Sequence, residues 1–65
     1  MKLLIWDARK KREMSLLELQ RRTGISKSAL SNYENNVRTP TMAQMELIAK
    51  ALGTKISLLY DSYYK

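Results

Sequence analysis

Three strong helix breakers, Gly24, Pro40 and Gly53, are all that this chain contains, and their placement divides it into short pieces. Just ahead of three of those pieces stand Ser15, Ser26 and Thr41, hydroxyl residues suited to capping the N–H groups that open a helix. Between breakers and caps the apolar residues recur at helical steps. The pattern predicts five short helices, over about residues 2–13, 16–23, 27–35, 42–52 and 56–60.

In the first, Ile5, Ala8 and Arg12, with Leu4 beside them, follow steps of three and four. Ser15 opens the second with Glu18 three residues on, a capping box in which each residue satisfies an N–H group of the other. Arg21 and Arg22 complement the dipole in its last turn, and Gly24 stops it. The third carries Ala29, Leu30 and Tyr33 on one side and ends at Asn35 and Asn36, because asparagine tolerates left-handed backbone. Thr41 and Gln44 form a second box, ahead of the stripe Met42, Met45, Ile48, Ala49 and Leu52. The fifth helix has no good cap and turns Leu59 inward. Short helices joined by tight turns make an all-α domain, here one compact domain over residues 1–65.

Composition excludes several function classes. Cysteine and histidine are absent, which removes disulfides, the usual zinc ligand sets and the commonest general base. A chain of 65 residues has little room for an enclosed pocket, so no enzymatic activity, catalytic residue, metal, cofactor or small-molecule ligand is expected. The apolar start, Leu3 to Trp6, is too short for a signal peptide or a membrane span, which leaves a cytoplasmic protein with no membrane partner as the expectation. Twelve Lys and Arg against six Asp and Glu give a net charge of +6, which attracts polyanions without proving that one is bound.

The stretch from Leu16 to Tyr33 reads helix, glycine turn, helix, with Leu19, Ile25, Leu30 and Tyr33 spaced to hold a steep crossing. Such a crossing leaves the outer face of the second helix free to enter a DNA major groove.

The order of motifs resembles the phage-repressor-like, Cro/Xre-type helix-turn-helix regulators of bacteria and phages. The matching residues are Ala8-Arg9, Met14-Ser15-x-x-Glu18-Leu19, Thr23-Gly24-Ile25-Ser26, Leu30-Ser31-x-Tyr33-Glu34, Pro40-Thr41 and Ile48-Ala49-Lys50-Ala51-Leu52-Gly53. Together they cover Ile5 to Tyr60. The resemblance implies a five-helix, lambda-repressor-like domain that binds double-stranded DNA as a sequence-specific transcriptional repressor. Its third helix would read bases through Lys27, Ser28, Ser31 and Asn32, residue types able to address guanine, adenine or either. Phosphates would be held by Ser15, Leu16, Ser26, Asn35, Asn36 and Arg38. The resemblance also implies that Arg9 and Glu34 pair internally, which takes Arg9 off the DNA surface. Four residues depart from the family pattern: Leu16 and Leu17 replace polar residues, Gln20 a small one, and Asn36 a frequent glycine.

One recognition helix touches too few base pairs to select a site in a genome, so a homodimer on two half-sites is expected. Leu58, Tyr60, Tyr63 and Tyr64 are the candidate dimer surface, joined by Leu47, Leu3 and Trp6. The alternative for that tail is folding back on its own core. Two other functions compete. The extra leucines Leu16, Leu17 and Leu47 suit a protein partner of the antitoxin or anti-repressor kind, and the charge alone suits non-specific nucleic-acid binding.

Overall fold

A computed structural model describes residues 2–61. Its elements in chain order are β1 (Lys2–Leu3), α1 (Ile5–Lys11), α2 (Leu16–Thr23), α3 (Lys27–Glu34), α4 (Met42–Leu52), a 3₁₀ turn (Ile56–Leu58) and β2 (Tyr60–Asp61). The described residues therefore hold four α-helices rather than the five expected.

Both ends of the expected helical pattern are revised. Lys2 and Leu3 are extended and pair antiparallel with Asp61 and Tyr60, and Leu4 N–H donates to Leu59 O at 2.7 Å. Leu3 and Ile5 are both buried, and a spacing of two does not fit one face of a continuous helix, so the chain is extended at Leu3 and enters α1 at Ile5. The expected fifth helix shrinks to one 3₁₀ turn because Leu59 goes fully into the core and Tyr60 is drawn into the strand pair. Within α1 the buried partner of Ile5 is Arg9; Arg12 lies at the surface, where its Nη2 donates to Gly53 O at 3.2 Å.

The three middle helices begin at the residues that cap them. Ser15 Oγ accepts from Glu18 N–H, Ser26 Oγ from Ala29 N–H and Thr41 Oγ1 from Gln44 N–H, each at 3.1 Å. The Thr41–Gln44 box is reciprocal, with Gln44 Oε1 accepting from Thr41 N–H. The expected Ser15–Glu18 box is formed by half, since the Glu18 carboxylate turns to Arg22 Nε at 3.3 Å.

Every helix ends on a left-handed residue: Glu13 (φ 52°), Gly24 (φ 75°), Asn36 (φ 58°) and Gly53 (φ 64°). At three of these ends the next residue's N–H reaches back five residues, Met14 to Arg9 O, Val37 to Asn32 O and Thr54 to Ala49 O. Glycine adopts this conformation without strain at Gly24 and Gly53, and asparagine does so with little. Glu13 has no such ease.

Ile5, Leu19, Leu30, Ile48, Leu52 and Leu59 form the fully buried centre, with Ile25, Tyr33, Met45 and Ala49 around it. α1 and α2 each lie against both α3 and α4. Among the described residues no helix is long and apolar enough to cross a membrane.

Candidate nucleic-acid interface

α3 is fixed at both ends and along its inner face. At its start Ser26 caps it, and Gln20 Oε1, reaching over from α2, accepts from Lys27 N–H at 2.7 Å. This oversized residue of the α2 pattern thus holds the first turn of the next helix. The sequence marked Gln20 only as crowding; its acceptor role depends on a distance that no spacing rule reveals. Along the inner face Leu30 is fully buried, and buried Tyr33 donates its OH to Gln44 Oε1 at 2.9 Å. Because Gln44 Oε1 also accepts from Thr41 N–H, one amide oxygen ties α3 to the start of α4.

The outer face is what this anchoring presents. Lys27 and Ser28 are exposed, Ser31 and Asn32 half-buried, and the four line a single shallow groove. Leu16, the first residue of α2, forms another wall of it. The expected base-reading residues are thus brought together, in the company of one apolar side chain.

The residues expected to hold phosphate are more scattered. Ser15 and Ser26 sit at their helix starts, exposed, with their hydroxyls engaged in capping. Asn35 Nδ2 lies 3.4 Å from Ser31 Oγ, at the edge of the groove. Asn36 is exposed, but its Oδ1 accepts from Leu3 N–H at 2.9 Å, which makes this side chain a tie between the end of α3 and β1. Arg38 is exposed in the loop before α4.

Arg9 and Glu34 meet beneath this surface. Arg9 Nε donates to Glu34 Oε2 at 2.6 Å and Nη2 to Oε1 at 3.0 Å, a two-pronged pair with side chains only 8% and 6% exposed. Arg9 Nη1 donates to Met14 O at 2.8 Å, so the same guanidinium closes the turn between α1 and α2.

Of the candidate dimer surface, Leu58 is exposed (59%), as are Trp6 and Leu47. Tyr60 is half-buried against the core in β2, where it pairs with buried Leu3. Tyr63 and Tyr64 lie outside the described residues. Trp6 carries the Lys10 ammonium over its ring, 5.5 Å from the centroid. Among the described residues no group of three or more metal-ligating side chains forms.

A family model described as helix-turn-helix matches residues 7–59. Among solved structures, the N-terminal DNA-binding domain of SinR from Bacillus subtilis is similar to this chain. The two are 31% identical with a TM-score of 0.80, over 94% of this chain and 90% of that one. No curated protein sequence matches the chain.

Proposed function

The chain belongs to the Cro/Xre-type helix-turn-helix family, and from that membership we propose that it is a sequence-specific double-stranded DNA-binding transcription regulator, acting as a repressor, that reads the major groove with α3. The observation that carries this reading is the two-sidedness of α3. Leu30 and Tyr33 lock one face into the core, while Lys27, Ser28, Ser31 and Asn32 line one groove on the other. In that position Lys27 addresses guanine O6 and N7, Asn32 the N6 and N7 of adenine, and the serines base or phosphate. Repression by occlusion requires nothing beyond occupancy of the site.

Phosphates on either side are held by Arg38, by the N-termini of α2 and α3 at Ser15, Leu16 and Ser26, and by the remaining amide protons of Asn35 and Asn36. The net charge of +6 draws the chain to the duplex and leaves sequence choice to α3. A second copy occupies a half-site one turn away, roughly 34 Å along the duplex. Leu58 is the described residue of the expected surface best exposed for that contact.

Selection of bound sites from random duplexes tests the reading. An enriched palindrome with half-sites about 10 base pairs apart is expected. Equal affinity for all sequences would replace it with charge-driven, non-specific binding. Leu17 and Leu47, half in water at 47% and 45% exposure, favour a protein partner of the antitoxin or anti-repressor kind as the second reading. Absence of binding to any duplex would move the assignment there.

A further inference from the structure

Leu16 stands out in the groove on α3. The other residues lining it are Lys27, Ser28, Ser31 and Asn32, all polar or charged. Leu16 packs partly against the core and keeps the rest of its side chain toward the groove. Its backbone is held in place at the first position of α2 by the Ser15 cap, and a leucine has few rotors with which to turn away.

An apolar wall in a polar groove needs an apolar complement. On the major-groove edge of a base pair the one apolar group larger than a single C–H is the 5-methyl group of thymine. We propose that Leu16 is a specificity-determining residue that contacts the 5-methyl group of a pyrimidine at one position of the bound sequence. This rests on the DNA-reading assignment of α3 and adds an apolar determinant contributed by α2. The polar residues of α3 then choose among donor and acceptor patterns, while Leu16 distinguishes bases that share a pattern but differ in the methyl group.

The test uses the full chain and its selected site, with each thymine replaced in turn by deoxyuridine, which removes the methyl group and leaves every hydrogen-bonding atom. At one position the substitution should weaken binding about fourfold, the partition advantage of one buried methyl group. Placing 5-methylcytosine rather than cytosine at that position should restore a similar factor, which would show that the methyl group and not thymine as such is recognised. Leu16→Gln should weaken binding to the thymine site by a comparable factor and abolish the response to deoxyuridine. Its salt dependence should stay unchanged, because no charge is altered. Leu17→Gln, at the neighbouring exposed leucine outside the groove, should retain the response. If Leu16→Gln does not fold, Leu16→Ala takes its place, and the deoxyuridine series on the unaltered protein stands without either. Indifference of the unaltered protein to every deoxyuridine, or an undiminished response in the Leu16 variants, would overturn the proposal while leaving the selected site intact. Absence of any selected site would instead overturn the DNA-reading assignment and this inference with it.

Discussion

Arg9 shows how much a single side chain can organise. From a nearly closed position its guanidinium grips both oxygens of Glu34 and the carbonyl of Met14, joining α1, α3 and the turn into α2. Arg9→Met would strand a buried carboxylate and should cost about 3–5 kcal/mol in urea unfolding. That is a large share of the roughly 5–15 kcal/mol typical of a folded domain. Arg9→Met combined with Glu34→Leu should recover part of the loss, because no buried charge is then left unpaired. Equal losses in the single and double variants would show that the ion pair is not the source. Glu13 presents the opposite case. It sits in left-handed backbone at φ 52° with a Cβ that disfavours it. Glu13→Gly should therefore raise stability by about 1 kcal/mol and the melting temperature by about 4–8 °C; no rise would mean that the turn carries no strain. Asn36 has a similar φ but anchors Leu3 N–H, so removing its side chain also removes a tie.

At the scale of elements, α3 is the part whose position has to be reproducible, and its ties to Gln20, Gln44 and the core provide that. On the proposed interface, Asn32→Ala should cost about 1–3 kcal/mol at the preferred sequence and relax the choice at one base pair. Arg38→Ala should instead weaken binding to all sequences alike and lower the salt slope by about one. Binding isotherms on cognate and scrambled duplexes at several salt concentrations separate the two, and the same behaviour from both variants would count against the division of roles. The middle helices were legible in the sequence because their signals are local: Ser15, Ser26 and Thr41 cap helices at the expected places. The shared face of Lys27, Ser28, Ser31 and Asn32 was legible for the same reason, through helical periodicity. The ends of the chain were not. Leu3 and Tyr60 take their conformation from each other, and no local pattern at either end announces a partner so far away. The placing of Gln20 against Lys27, and of Leu16 against the groove, depends on how α2 and α3 meet, which residue spacing does not specify.

The whole molecule carries its excess positive charge on a small body, with a Cα radius of gyration of 10.5 Å. Self-repulsion of that charge opposes folding, whereas attraction to phosphate favours binding, and both are screened by the same ions. Raising salt from 0.05 to 0.2 M should therefore raise the melting temperature while lowering DNA affinity, with a slope near −0.9 per phosphate contacted. Parallel thermal melts and titrations measure the two, and a melting temperature that falls with salt would show that net attraction among its charges stabilises the fold. The short ribbon of Lys2–Leu3 on Tyr60–Asp61 bears on the molecule differently. It sets Lys2 opposite Asp61, so the backbone of the described residues traces nearly a closed ring. The order in which the helices are synthesised is thereby separable from their arrangement in space. A chain running Lys2–Asp61 alone, joined across the ribbon by a short linker and opened in the exposed loop around Arg38, should keep the same neighbours on every side of α3.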